Sequence, residues 1–552
     1  MPAQLSSGPI AEDFSRARKM FLHKTAKSVT EIQSNVNNLA DVLVFLEVLG
    51  YDANKAKAYG FSDLLDLARH VFEIIDYYNP EERGGELAAP LLSSIPGLRR
   101  RILGGLLLMT PWFMMVSTIF IFGVSLWLDW HLPVADMTSM ALGIMLGMLV
   151  GEGPIWVFNR LFIFYHSQAN VSETRRVMKR SYAMLAVMLC FGATALYAMG
   201  WLFGVPVWLV TIATMGMATV SFHRLSFVPV YALKKVRLAT LSYVAALTLL
   251  ILVYFFSVDL LPNPTTRYLV SLGAAFVVLS VPAVYCNRLA ISEKLEAESM
   301  ADWPPFYRPS YANSKTLPSR FIVQLWENLP YFLYGSFYFA MLFGDRIISW
   351  LYNPVHTVGG VTMPLVFNPI YHMGADIGLF VVVPVGFIQY VMGAHIFGQL
   401  KNISLQYTST EENAVDDFIR ARCKKMLLVA LATSLSIAVS LEIAAPSLIA
   451  SINGTATSTS ILQTVVLGNI LLVLFISNSF FIMLLNRAKQ LTLIALVSAS
   501  IVTFGGLALG SLGYQYIVLA YVASCASGAF LSTRYVRSLL RRPARIFYAR
   551  FT

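Results

Sequence analysis

Along the 552 residues, apolar runs of helix length recur twelve times, near 102–128, 137–162, 181–203, 205–222, 238–260, 266–288, 321–351, 371–399, 426–451, 459–485, 490–510 and 513–533. Each suits the roughly 17–25 residues that cross a bilayer's hydrocarbon layer as a helix. None has the alternating ten-residue pattern of an outer-membrane barrel. The charges between the runs fall on alternate sides. One set of loops carries Arg175, Arg176, Lys179 and Arg180; Lys234, Lys235 and Arg237; Arg308, Lys315 and Arg320; Arg420, Arg422, Lys424 and Lys425; and Arg487 and Lys489, and the tail adds Arg534, Arg537, Arg541, Arg542 and Arg545. The other set, such as 351–370 and 452–458, holds almost none, with Arg267 the exception. Basic residues mark cytoplasmic loops, so the pattern predicts twelve spans with both termini in the cytoplasm.

The first hundred residues follow a different rule. Val36, Leu39, Val42, Leu43, Leu46 and Leu49 recur at helical spacing, and Gly50 closes that run. A second helix is expected in FSDLLDLARHVFEIIDYY, with Ser62 as its N-cap and Pro80 as its stop. The stretch is polar, without the apolar core of a signal peptide. It carries no phosphate loop or metal-ligand cluster, which points to a docking or oligomerisation module, with simple capping of the cytoplasmic face as the alternative. The resulting organisation is an all-α polytopic membrane protein: a helical cytosolic domain over 1–100, a six-span lobe over 101–290, a cytoplasmic linker over 291–320, a second six-span lobe over 321–534 and a basic tail over 535–552. The even number of spans in each half predicts parallel lobes about an axis along the membrane normal.

Composition agrees with the pattern. Only 13% of the residues are charged and 57% are hydrophobic, against about 25% charged in soluble domains, and the mean hydropathy is +0.64. The net charge of +11 does not indicate nucleic acid. Through Arg101 there are 12 Lys+Arg and 13 Asp+Glu, so the excess lies in the short loops between spans. The four cysteines, Cys190, Cys286, Cys423 and Cys525, are widely separated, and neither disulfide nor metal nor cofactor is expected from them.

Charges inside the spans are the anomalies that carry chemistry, since each costs roughly 2.5–3.5 kcal/mol at the bilayer centre and so faces protein or water. Span 7 opens the second half with Glu327 near one end and Asp345-Arg346 near the other, a pair that reads as a gate or sugar contact, or as interfacial snorkelling. Glu152 lies within GEGP in span 2, where Gly151, Gly153 and Pro154 weaken the helix. Glu442, followed by Pro446, is its counterpart in span 9, which gives one carboxylate per half for coupling or a hydrogen bond to a neighbouring helix. Asn469 and Ser477-Asn478-Ser479 in span 10 suit packing. Gln389 and His395 of span 8 are weaker candidates, and His223-Arg224 reads as an orientation signal at the end of span 4. Tyr331, Tyr334 and Tyr338 share one face of span 7, where core packing is the default and sugar stacking the alternative.

The stretch LPYFLYGSFYFAMLFGDRIISWLYNP resembles the seventh span of the PelG family of exopolysaccharide transporters, in which a Gly and a Tyr precede an acidic-basic pair followed by Trp. Gly335, Tyr338, Asp345, Arg346 and Trp350 take those places, with Arg where the family commonly has Lys. Pro111-Trp112 in span 1, Asn159-Arg160 closing span 2, and VLGNILLVLFISNSFF in span 10 are similar. The resemblance covers roughly 100–540 and implies the multidrug/oligosaccharidyl-lipid/polysaccharide (MOP) flippase superfamily, with two six-helix lobes around a central cavity. It implies export of an amino-sugar polysaccharide across the bacterial inner membrane, with a cytosolic glycosyltransferase and a cyclic-di-GMP-responsive membrane scaffold as partners, and it places Arg160, Tyr338 and Trp350 beside the carboxylates as candidates. The hundred-residue N-terminal domain departs from that family's short start.

Two other readings compete. A cation- or proton-coupled antiporter of small molecules would use Glu152 as its coupling site. A membrane glycosyltransferase would present acids in its first outer loop, where Asp129 and Asp136 stand, but would also need a larger outer domain than the roughly twenty residues available here.

Overall fold

The computed structural model describes residues 20–29, 39–75, 98–167, 170–292, 321–358, 360–393, 396, 412–541 and 543. All but the first two residues of the expected linker, most of the basic tail, Pro80 and His395 lie outside the described residues. Twelve long helical segments follow one another: Leu98–Phe122, Val134–Ser167, Val171–Leu202, Val207–Ala232, Val236–Phe256 and Pro264–Ala290 as spans 1 to 6, then Phe321–Leu351 as span 7. Span 8 is built in pieces, Pro369–Gly378, Leu379–Val381, Val383–Ile388 and Gln389–Gly393; Glu412–Ser451, Ala456–Leu484, Ala488–Gly510 and Ile517–Leu539 complete the bundle as spans 9 to 12. By length and composition ten of these could each cross a membrane. Spans 4 and 7 fall short because His223-Arg224 and Glu327, Asp345 and Arg346 dilute them. The chain is a multi-pass membrane protein with the expected two-lobe, twelve-helix architecture.

Local chemistry explains the boundaries. Asn170, Asn263, Asn368 and Thr455 cap spans 3, 6, 8 and 10 by accepting backbone N–H groups two or three residues on. Span 1 stops at Phe122, earlier than expected, because Gly123 takes φ +72° and the chain turns back through Ser125 and Leu128. Span 4 runs ten residues beyond its expected end, to Ala232, which places Arg224 about 12 Å inside the helix terminus. In the N-terminal region, Asp63 rather than Ser62 caps the helix Leu64–Ile75: its carboxylate accepts the Asp66 N–H at 2.7 Å, while Ser62 turns to the Asp66 side chain. That region has its own core of Leu22, Val42, Leu46, Phe61, Leu67 and Val71, and Gly50 ends its helix at φ +77°.

Within each lobe, helices meet through small residues and buried apolar side chains. Gly143, Gly147 and Gly151 of span 2 recur every four residues and lie against Ala213, Met217 and Ser221 of span 4. A Cβ at Gly143 would stand 2.0 Å from the Ala213 carbonyl, so the two backbones touch directly. Ser221 locks the pair by donating to the Gly147 carbonyl at 2.8 Å. In the second lobe, Asn478 bonds Ser532 and Thr533, and Tyr521 donates to Asn469 at 2.6 Å, so the span 10 amides join spans 10 and 12 as packing groups.

Gly143→Val has no room to relax and is expected to lower stability by at least about 3 kcal/mol, the upper end of overpacking. Gly273→Ala, where nothing lies within 4 Å of the added Cβ, is expected to be neutral or to gain up to about 1 kcal/mol of helix propensity. Thermal unfolding of the purified variants measures both, and equal behaviour would show that spans 2 and 4 do not touch as described.

Candidate functional site between the lobes

The seam between the lobes is formed by spans 2 and 7 and by spans 1 and 8. At the end away from the basic loops, Thr138 of span 2 accepts the Phe367 N–H at 3.0 Å, and Trp350 and Phe367 of the second lobe sit inside the first lobe's apolar core. Midway, Gly335 of span 7 abuts the Glu152 carbonyl and the Trp156 ring. At the basic end the contacts are polar side chains. Gln324 donates to Tyr165 at 2.7 Å and accepts from Arg180 at 3.1 Å. Arg160 stacks over Tyr331 at 4.1 Å, and Arg160 and Tyr331 both donate to Asn486. The lobes therefore touch at both ends.

Two ionic groups line this seam. In the first, Glu152 is buried and Arg224 of span 4 approaches its Oε2 at 2.8 Å, as an ion pair without hydrogen-bond alignment. Trp156 lies one turn on, Tyr334 meets it edge-on at 5.3 Å, Tyr338 lies within electrostatic reach of the carboxylate, and Arg224 covers the Phe339 ring at 4.9 Å. Arg224 is thus the partner of Glu152 and not an orientation signal, a role hidden when span 4 is cut short. Its neighbour His223 is buried and bonds Tyr243 at 2.6 Å.

The second group belongs to spans 7 and 8. Asp345 and Arg346 are both fully buried, so the snorkelling alternative is excluded. Arg346 donates to Asp345 at 3.1 Å, to Asp376 at 2.8 Å and to the Leu342 and Ala375 carbonyls at 2.9 Å each. Tyr371 donates to the other oxygen of Asp345 at 2.8 Å. Trp350 donates its indole N–H to His372 Nε2 at 2.9 Å, which leaves Nδ1 to donate to Asp376 at 2.9 Å and fixes the neutral tautomer. Asp376 itself is 49% exposed although Arg346 is wholly buried and His372 nearly so. One turn along span 8, Phe380 meets Trp112 of span 1 edge-on at 4.8 Å, so span 8 faces the first lobe there.

The second lobe's interior carboxylates are therefore Asp345 and Asp376. Glu442, expected as the counterpart of Glu152, is only partly buried on span 9 and reaches Gln463 of span 10 instead. Arg160 sits on the basic side of the seam, Trp350 in the buried network and Tyr338 between the two groups. Sequence reasoning passed over Asp376, His372 and Asn486. Asp376 and His372 are spaced i, i+4, and that spacing on span 8 was the available signal. Asp129 and Asp136 are both buried, the first accepting from His131 at 2.8 Å and the second held by Thr265. Neither is presented as the glycosyltransferase reading requires.

No family model matches this chain, and no curated protein matches its sequence. Solved structures do. A MATE P26A mutant gives a TM-score of 0.55 at 12% identity over 83% of this chain and 99% of its own. The fold is that of the MATE transporters. An outward-facing multidrug resistance MATE family transporter of the MOP superfamily gives 0.53 at 14% identity over 83% and 99%, and an inward-facing one gives 0.51 at 12% over 80% and 94%. At these identities the MATE likeness establishes architecture: twelve helices in two lobes.

Asp345→Asn removes one charge facing a buried guanidinium and is expected to lower stability by about 3 kcal/mol while the protein still inserts. Glu442→Gln, on a partly exposed face, is expected to cost less than about 1 kcal/mol. Thermal unfolding of both decides; equal sensitivity would mean that the buried network does not hold span 8 to span 7.

Proposed function

We propose that the chain is a membrane transporter, not an enzyme, that exports an exopolysaccharide of amino-sugar type through the interlobe space. The observation that carries this reading is the lining of the seam: Trp112, Trp156, Tyr334, Tyr338 and Phe380 stand beside the Glu152–Arg224 and Asp376–Arg346 groups. Sugar rings offer apolar faces that stack on aromatic side chains and hydroxyl or amino groups that bond paired charges, so such a wall suits a polar, ring-built cargo. The resemblance of span 7 to the PelG family supports the same cargo. Two lobes that meet through separate sets of side-chain contacts at either end suit alternating access.

In this reading the protein resides in a bacterial inner membrane with its basic end cytoplasmic. The separately cored N-terminal domain docks a cytosolic glycosyltransferase or a cyclic-di-GMP-responsive scaffold, which would deliver the polymer. A second reading, a cation- or proton-coupled antiporter of small molecules, is favoured by the multidrug MATE neighbours, and Asp376, partly exposed, would be its coupling carboxylate.

Secreted polysaccharide in a strain lacking the gene tests the first reading. Loss of polymer in the deletion, its return with wild type, and at least about a tenfold reduction with Glu152→Gln are expected, from the roughly 1.4 kcal/mol that a tenfold change represents. Unchanged polymer in the deletion, together with increased sensitivity to toxic cations, would replace it with the antiporter.

A further inference from the structure

Away from the seam, the outward faces of spans 10 and 12, which stay joined through Asn478, Ser532 and Thr533, line an open cavity of about 690 Å³ that reaches the basic end of span 12. Its floor is apolar: Leu471 and Leu474 from span 10, and Phe530 from span 12, which is 65% exposed. Its rim is Arg534, Arg537 and Arg541, which follow one another on a single face of span 12 and its continuation. All three are exposed, and among the described residues none has an acidic partner, whereas Arg420 nearby pairs with Asp416 and Asp417.

Depth matches a lipid. Arg534 lies about 25 Å along span 12 from Ile517, near the far boundary of a ~30 Å hydrocarbon layer. Leu471 lies about 20 Å in from the basic end of span 10, so the apolar floor runs through roughly one leaflet. Positive charge at a cytoplasmic loop, or at a helix C-terminus, needs no groove. Three guanidiniums without acidic partners on one helix face above an apolar trough have the chemistry that suits a phosphate over an acyl chain.

We propose that this groove is a binding site for an anionic phospholipid of the leaflet at the basic end, its phosphate held by Arg534, Arg537 and Arg541 and one acyl chain lying over Leu471, Leu474 and Phe530. The site clamps span 10 to span 12 and does not depend on which cargo crosses the seam.

The test uses the full chain purified in neutral detergent, titrated with phosphatidylglycerol or phosphatidylcholine and followed by thermal unfolding and by native mass spectrometry. Phosphatidylglycerol is expected to bind and stabilise, and phosphatidylcholine is not. The double variant Arg534→Gln/Arg537→Gln is expected to bind phosphatidylglycerol roughly twenty-five-fold more weakly, about fivefold for each arginine. Leu471→Phe keeps every charge but fills the bed and is expected to weaken the lipid without affecting glycerol phosphate, which keeps the test open if the double variant does not fold. Equal binding of the two lipids, or unchanged phosphatidylglycerol binding in Leu471→Phe, would overturn the proposal. Stabilisation by millimolar glycerol phosphate equal to that by the lipid would reduce the groove to a simple anion site and overturn it as well.

Discussion

A guanidinium that water never reaches has to have its charge answered by protein, and that constraint organises the second lobe. Desolvating Arg346 would cost several kcal/mol if its surroundings were apolar. The surroundings are instead two carboxylates and two backbone carbonyls from spans 7 and 8. Each carboxylate then needs its own donors, which Tyr371 and His372 supply, and His372 in turn takes the indole of Trp350. The helix Pro369–Gly378 is thereby pinned to span 7. Beyond it span 8 passes through a tight turn and a wide one, where the freed backbone groups are tolerated only because they are enclosed by protein.

The first lobe solves a lighter version of the same problem. Glu152 is buried but its partner Arg224 is nearly a third exposed, so the pair is not sealed. The two groups differ in what they leave open to water: a cation in the first lobe and the Asp376 carboxylate in the second. The partly exposed member is thus a cation in one lobe and an anion in the other.

Much of this was legible in the chain. Hydropathy and the alternation of loop charge gave the twelve helices, because membrane insertion itself acts on those two properties. Asp345-Arg346 stood out because adjacent charges in an apolar run are costly anywhere except inside protein. The rest failed for definite reasons. Arg224 looked like a helix-end charge because the apolar run stops at residue 222, whereas the helix continues ten residues further, through Pro229. Glu442 looked like a partner for Glu152 because each precedes a proline, but which face of a helix meets a neighbour is decided by packing, and span 9 sits at the edge of its lobe against spans 8 and 10. Asp376 shares its helical face with a histidine, and only the fold brings Arg346 to them.

The glycine ladder between spans 2 and 4 has a mechanical consequence. Where two backbones touch with no side chains between them, there is no soft layer to shear, and the pair moves as a single stiff lever. Glu152 and Arg224 stand on that lever, one on each helix, so direct backbone contact fixes the spacing of the ion pair.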